Sequence, residues 1–164
     1  MNDDEKPLRG YASPPCLQHE LEGAFGGMDR ESVVAQLNVL LEGERAGARG
    51  LRDTAASFDG ELAGVMGDVG RDEARFCAML TRHIERLGAT SSRATGVFYD
   101  KLLARPDPAA RLRLLDRGQK AVVEALDALL GQTLDTELRG DLEDMREVHV
   151  CNIRRCAAYL PDEG

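Results

Sequence analysis

Hydrophobic residues recur along this chain at the three- and four-residue spacing of amphipathic helices, in four long segments. The segments run from about residue 30 to 58, 61 to 87, 108 to 130 and 133 to 160. Asp29, Asp59 and Asp107 precede the first three segments as N-caps, and Gly131 ends the third. None of the six prolines lies in the middle of a segment. The pattern therefore predicts four long helices.

The connections between these segments predict how the helices are arranged. Short gaps join the first helix to the second and the third to the fourth, so each pair should be antiparallel neighbours. The middle gap is longer, from about residue 88 to 105, and residues 97–103 within it predict a short extra helix. We expect an all-α fold: an antiparallel, up-down-up-down four-helix bundle with that short helix between helices 2 and 3. Residues 28–164 would form the bundle, and residues 1–27 a loosely ordered N-terminal extension.

Each hydrophobic stripe is interrupted near its middle by one polar residue. At 100° per residue, Glu44 lies within about 40° of the apolar residues of its helix and points at the core. Glu73, Gln119 and His149 hold the same position on the other three stripes. Because residues at mid-helix meet at one level of a bundle, these four side chains should form one inward-facing polar layer.

Two inward glutamates at one level repel each other unless a positive charge or a shared proton lies between them. The first hypothesis is one metal ion held by Glu44, Glu73 and His149, with Gln119 or water completing its shell. Two carboxylates and an imidazole suit Fe, Zn or Mn. The sequence thus predicts one such ion as the cofactor, if the layer holds any.

Helix length, antiparallel order and mid-helix polar residues resemble the ferritin-like superfamily, over about residues 28 to 160. Its di-iron members supply Glu from two helices and Glu-x-x-His from the other two. More narrowly, the chain is similar to a bacterial ferritin-like domain family without an assigned function, in the segments LLEGERAGARGL, DEARFCAMLTRHIERLG, GVFYDKLLA and EVHVCNIRRC. The resemblance implies the bundle fold and no particular activity.

The di-iron motif of that superfamily is matched only in part. Three of its ligand positions are kept: Glu44, Glu73 and His149. Phe76 stands where a histidine is expected, Gln119 replaces a glutamate, and Arg146 stands three residues before the histidine of the last helix. We therefore do not expect a complete di-iron centre.

The second hypothesis for the layer is free of metal. Arg146 lies about 60° from His149 on its helix, and its guanidinium could enter between the two glutamates as the inner-layer charge partner. The protein would then be a non-catalytic interaction module. Its apolar residues around Val97, Phe98 and Tyr99 would serve self-association, as in a homodimer, or another partner. Both hypotheses stay open at this point, and so does whether the protein is an enzyme.

The net charge and the cysteine content limit the classes of partner and the location that we expect for the protein. The net charge of -8 argues against a nucleic acid or an anionic membrane surface, which both need a basic footprint. No apolar run approaches the roughly 20 residues that span a bilayer. The start of the chain is acidic and has no apolar stretch typical of a signal peptide, and the four cysteines form no CxxC pair. We expect a cytoplasmic protein with no nucleic-acid or membrane partner.

His83 is the other histidine within the predicted helices. Helix rise places it about 15 Å from Glu73, too far to share a central ion. We interpret it as a packed core histidine. The alternative is a contact with Cys156 that could bind a metal, if the second and fourth helices end on the same side. Cys16 and His19 fall in the predicted extension.

Overall fold

The computed structural model describes residues 27–161. This range contains five α-helices and no β-strand: α1 (Arg30–Thr54), α2 (Gly60–Arg86), α3 (Phe98–Leu103), α4 (Pro108–Leu130) and α5 (Thr136–Ala157). A turn of 3₁₀ helix, Ala55–Ser57, joins α1 to α2. The predicted all-α bundle with a short extra helix is confirmed. The predicted N-terminal extension, residues 1–27, lies outside the described residues except for Gly27, and so do Cys16 and His19.

Three of the four long helices begin at an aspartate that caps them. The side chains of Asp29, Asp107 and Asp135 each accept a hydrogen bond from the backbone N–H three residues further on. A bond of this kind stabilises a helix by about 1 kcal/mol. Asp59 precedes α2 without making one. The predicted starts of α1 and α4 are therefore explained by their caps, while α5 begins three residues later than expected, after Asp135.

The directions of the helices differ from the predicted up-down-up-down order in one respect. Arg86 at the end of α2 binds Asp135 just before α5, and Asp68 near the start of α2 binds Arg155 near the end of α5. Helices α2 and α5 are thus antiparallel, and since α4 and α5 form a hairpin, α4 runs in the same direction as α2. The observed order is up-down-down-up.

A long connection makes this order possible. Gly88, with a φ of 74°, turns the chain at the end of α2. The connection that follows runs along α1 toward the C-terminal end of that helix. The backbone N–H of Ser92 donates to Asn38 at 2.7 Å, and the Tyr99 hydroxyl donates to Asp53 at 2.7 Å, some four helical turns higher on α1. A single long crossover of this kind is the connectivity of ferritin-like folds.

Two glycines let the short helix α3 lie close against the bundle. A Cβ at Gly50 of α1 would come within 2.7 Å of Leu102, and a Cβ at Gly118 of α4 within 2.8 Å of the Phe98 ring. Leu102 is completely buried as a result. The absence of these two side chains therefore seats α3 across the gap between α1 and α4.

The hydrophobic core is divided into two parts. One lies toward the end where α2 and α4 finish, and its members include Leu37, Leu41, Phe76, Leu80, Ile84, Leu126, Leu138 and Leu142. The other lies toward the opposite end and comprises Leu51, Phe58, Met66, Val69, Leu112, Leu115 and Cys156. No helix within residues 27–161 is both long enough and apolar enough to cross a membrane.

The packing of α3 gives a stability prediction. Leu102→Ala should lower the free energy of unfolding by about 2 to 5 kcal/mol, because it leaves a cavity at a fully buried site. The neighbouring Leu103, 39% exposed, supplies the control, and Leu103→Ala should cost less than about 1 kcal/mol. Urea unfolding followed by circular dichroism measures both. Equal losses would show that Leu102 does not anchor α3.

Candidate metal centre

The four residues of the predicted polar layer all lie in the interior, between the two parts of the core. Glu44, Glu73, Gln119 and His149 are 2%, 3%, 4% and 0% exposed. They are joined in two pairs. His149 Nε2 lies 3.1 Å from Glu44 Oε1, and Gln119 Nε2 donates to Glu73 Oε1 at 2.6 Å. Four helices thus bring one polar side chain each to the same level of the bundle.

The His149 ring is held in one orientation by its own helix and by Phe76. Its Nδ1 lies 3.0 Å from the carbonyl oxygen of Met145, to which it donates. That bond leaves Nε2 to face Glu44. The Phe76 ring packs against the imidazole with 5.5 Å between ring centroids. Phe76 thus supports the histidine from a position where di-iron proteins would have a ligand.

Three oxygen atoms of the layer have no hydrogen-bond partner within the described chain: Glu44 Oε2, Glu73 Oε2 and Gln119 Oε1. All three are acceptors when the carboxyls are ionised. A buried acceptor without a donor costs about 1 to 3 kcal/mol. The Glu73 oxygens lie so close to α1 that a Cβ at Gly47 would approach Oε2 to 2.1 Å. The layer is therefore rich in acceptors and poor in donors.

The electrostatics of the layer follow from this imbalance. Burial raises the pKa of Glu73 well above its ordinary value, and the negative charge of Glu44 raises it further, while the Gln119 hydrogen bond opposes the shift. For His149, burial lowers the pKa, but the charge and hydrogen bond of Glu44 outweigh burial and raise it. Without an added cation, the layer therefore favours a protonated Glu73 and an imidazolium beside Glu44.

Arg146 does not enter the layer. Its side chain is 37% exposed and binds the carboxylate of Asp127 on α4 through two nitrogens. The angular offset from His149 points Arg146 toward the neighbouring helix, and its long side chain reaches a surface partner there without taking its charge out of water. The prediction that Arg146 lies between Glu44 and Glu73 is wrong for this structure.

His83 lies far from Cys156, because α2 and α5 are antiparallel and His83 sits beside the start of α5. Its Nε2 is 2.7 Å from Asp141 Oδ2. With Glu137, these two residues form the one set of three His, Cys, Asp or Glu side chains in residues 27–161 whose ligand atoms all lie within 4.8 Å of one another. The predicted approach of His83 to Cys156 is therefore wrong.

The groups around His83 already balance one another. Arg82 binds Asp141 at 2.6 Å, and Arg86 Nη2 lies 3.3 Å from His83 Nδ1. Arg86 also lies 4.0 Å from Glu137. Both carboxylates thus have arginine neighbours, unlike Glu44 and Glu73.

A cavity of about 210 Å³ leads to the mid-bundle layer from the side where α1 faces α4. Glu44, Glu73 and Gln119 supply its polar groups. The rest of its wall is apolar and includes Phe98 of α3 and Leu115 of α4. The three residues that carry the unpartnered oxygens are therefore buried and also line this cavity.

Sequence reasoning did not identify the residues that shape this cavity. Gly43 and Gly47 of α1 and Gly118 of α4 line it. A signal was present, because a glycine inside a helix costs about 1 kcal/mol relative to alanine and so calls for a reason. Phe98 was assigned to a surface, and its packing against Gly118 depends on a contact between distant parts of the chain.

The sequence matches one family, the Domain of unknown function (DUF6306), over residues 31–158. The chain belongs to that family. The match covers all four long helices and therefore the whole polar layer of this DUF6306 domain. No curated protein sequence matches it.

Two solved structures share the fold. One is described as ferritin like, diiron-carboxylate proteins from Bacillus anthracis str. Ames, with a TM-score of 0.73 and 20% identity over 82% of this chain and 100% of the other. The second is a two-domain protein from Anabaena variabilis with dj-1/thij/pfpi-like and ferritin-like domains; its TM-score is 0.66 at 18% identity, over 85% of this chain and 39% of the other. These similarities establish a ferritin-like fold for the DUF6306 domain.

The raised pKa of Glu73 gives a prediction for the metal-free protein. Between the ordinary value of 4.5 and the higher folded value, the native state keeps a proton that the unfolded state releases, so stability falls as the pH rises. Glutamine has no such proton. Glu73→Gln should therefore stabilise the protein, by an amount that grows as the pH rises above 4.5.

Chemical unfolding in chelator, over about pH 4 to 8, measures this difference. Glu85→Gln changes the charge of an exposed glutamate on the same helix and should not reproduce the pH-dependent gain. A difference between wild type and Glu73→Gln that stays constant with pH would contradict the prediction.

Proposed function

We propose that this protein binds one divalent transition-metal ion in the middle of its bundle. Glu44, Glu73 and His149 would be its ligands, with Gln119 Oε1 as a further donor. The observation that carries the proposal is the set of three buried oxygens without donors between two apolar halves of the core. A cation is the partner that such a set of acceptors calls for.

The donor set fits a metal ion chemically. Carboxylate and imidazole ligands suit Fe, Zn or Mn. Glu44 Oε1 and His149 Nε2 are 3.1 Å apart. Ligands about 2.0 to 2.2 Å from one ion lie about 3 to 3.5 Å from each other, so this pair is already spaced to share one. The Glu73 carboxylate would have to move toward the ion. In the described residues, the ligand atoms of Glu44, Glu73 and His149 do not all lie within 4.8 Å of one another.

Charge supports one ion rather than two. The two carboxylates of Glu44 and Glu73 neutralise a single divalent ion, whereas a second would leave a net buried positive charge. Phe76, Gln119 and Arg146 stand where the further ligands of a di-iron protein would be. The Bacillus anthracis structure is described as diiron-carboxylate, which supports a metal ion in this DUF6306 domain. The residues that replace the further ligands are the reason to propose one ion rather than two.

The His83 cluster is the competing place for an ion. Its ligand atoms are closer together, but its carboxylates are paired with arginines and His83 Nδ1 faces Arg86. A neutral histidine that binds metal through Nε2 carries its proton on Nδ1, where a guanidinium donor would oppose it. We therefore place the ion at the mid-bundle layer.

A metal-free layer is the alternative function class, that of a non-catalytic bundle. A Glu44–His149 ion pair and a protonated Glu73 would balance its charge without Arg146. A protonated Glu73 supplies one O–H donor, which can serve only one of the two other unpartnered acceptors, Glu44 Oε2 and Gln119 Oε1. One buried acceptor therefore stays without a donor, which is why we favour the ion.

We also propose a cytoplasmic location, in keeping with the three free thiols of the described range: Cys77, Cys151 and Cys156. Self-association stays a prediction. Of the three residues expected to serve it, Val97 is 71% exposed, whereas Phe98 packs on Gly118 and Tyr99 donates to Asp53.

Metal content tests the proposed site. Protein purified without a histidine tag and loaded with Fe, Zn or Mn should hold about one equivalent after desalting. His149→Ala or Glu73→Ala should lose it, since each removes a ligand. His83→Ala, which removes the other buried histidine, is the matched control and should keep it. Elemental analysis measures all four proteins.

Two results would overturn the proposal. Wild-type protein without bound metal would favour the metal-free bundle. Metal lost in His83→Ala but kept in His149→Ala would move the ion to the cluster with Glu137 and Asp141.

The affinity for the metal should fall as the pH is lowered. Glu73 and His149 both have raised pKa values in the metal-free layer, so binding must release their protons. At pH values where the metal-free protein holds such a proton, the affinity for the metal falls by about tenfold for each pH unit that the pH is lowered. Competition with a chelating indicator between about pH 6 and 8 measures the slope. An affinity that does not change over this range would contradict the assignment of these ligands.

A further inference from the structure

The cavity beside the polar layer is open space that packing does not explain. It lies between α1 and α4 under Phe98 and reaches Glu44, Glu73 and Gln119. Its volume of about 210 Å³ exceeds the roughly 150 Å³ of an apolar cavity that holds benzene in another protein. The space therefore suits a molecule of about six to eight non-hydrogen atoms.

At Gly43 the space could be filled by a side chain without disturbing the fold. Gly47 and Gly118 also line the cavity, but a Cβ at either would strike a neighbour, so the fold needs those glycines. A Cβ at Gly43 would meet no atom within 4 Å. An alanine there would fit and would stabilise the helix by about 1 kcal/mol. The room at Gly43 thus has no role in packing.

The wall chemistry defines what the cavity could hold. Apolar side chains, including Phe98, Leu115 and Val122, make up most of the wall, so the body of a ligand must be apolar. The polar groups are Glu44, Glu73 and Gln119, nine-tenths or more buried, each with an oxygen that has no partner. The two carboxylates repel an anion. Once a metal ion or protons balance them, a cation is not favoured either.

We propose that this cavity is a binding site for one small, neutral, mostly apolar molecule with a hydroxyl-type polar end. The apolar body lies against Phe98 and Leu115, and the polar end faces the Glu73–Gln119 hydrogen bond. The proposal deepens the proposed function by giving that site a ligand class. The proposed metal ion matters to this proposal in one respect only: it balances the two carboxylates, so that a neutral ligand is favoured over a cationic one.

Three probes with the same five-carbon tail and different charge test the ligand class: 1-pentanol, hexanoate and pentylammonium. Each is titrated into the metal-loaded and the chelator-treated protein, and binding is followed by ¹H–¹³C methyl NMR. The alcohol should bind saturably to the metal-loaded protein and shift methyl signals of Leu115 and Val122. The two ions should bind at least about tenfold more weakly to it.

Two blocking variants test the place. Gly43→Leu from α1 and Ala121→Leu from α4 put a side chain at the cavity and should each weaken alcohol binding by about tenfold or more. The controls are Gly64→Leu, an exposed glycine of α2 with open space at its Cβ, and Ala125→Leu, one turn beyond Ala121 on α4. Both controls should bind the alcohol as wild type does.

Three results would overturn the proposal: no saturable binding of the alcohol, binding unchanged in both blocking variants, or an ion bound more tightly than the alcohol to the metal-loaded protein. Metal content is measured on the same samples. A protein that holds one ion but no alcohol refutes only the cavity proposal. Alcohol binding at the cavity without any metal refutes only the proposed function.

Discussion

Two carboxylates, Glu44 and Glu73, are buried at one level of this helical bundle, where their negative charges repel each other. Glu44 and Glu73 are almost fully removed from water, and each has one oxygen bonded to a neighbour and one without a partner. Each partner is itself oriented: His149 by the Met145 carbonyl and the Phe76 ring, and Gln119 by its bond to Glu73. Apolar core lies on both sides of the layer along the bundle, so both carboxylates lose most of their hydration. The layer is consequently stable only with a cation or with protons, and that requirement leads to the proposed metal ion.

The long crossover and the glycines control access to this layer. Because α4 runs in the same direction as α2, the chain has to climb the whole length of α1 before α4 can begin. The crossover and α3 therefore lie over the gap between α1 and α4, where Leu102 fits against Gly50 and Phe98 against Gly118. The cavity remains beneath them. The connectivity that completes the bundle thus also makes one wall of the space beside the polar residues.

Several charged side chains outside the core are paired with side chains of opposite charge, whereas within residues 27–161 Glu44 and Glu73 of the inner layer have no arginine partner. Arginine–aspartate pairs join α2 to α5 and its N-cap along the length of the interface, and the His83 cluster is part of that network. Arg146 likewise has its own surface partner, Asp127. Exposed pairs of this kind contribute little to stability individually, but they fix which helices are neighbours and how they are aligned. Within the described chain, the hydrogen-bond partners of Glu44 and Glu73 are His149 and Gln119, and neither glutamate binds an arginine.

The four long helices and the inward direction of their four polar residues can be predicted from the amino-acid sequence. Helical periodicity and the caps at Asp29 and Asp107 are local properties, and the face on which Glu44 or His149 lies follows from counting along one helix. The directions of the helices, the partner of Arg146 and the neighbours of His83 become known only from the packing of the helices. Each depends on which helix lies beside which, and a crossover of some twenty residues is long enough to reach either end of the bundle. The cavity was beyond sequence reasoning for the same reason: it is bounded by glycines and by Phe98, which meet only when α1, α3 and α4 have packed together.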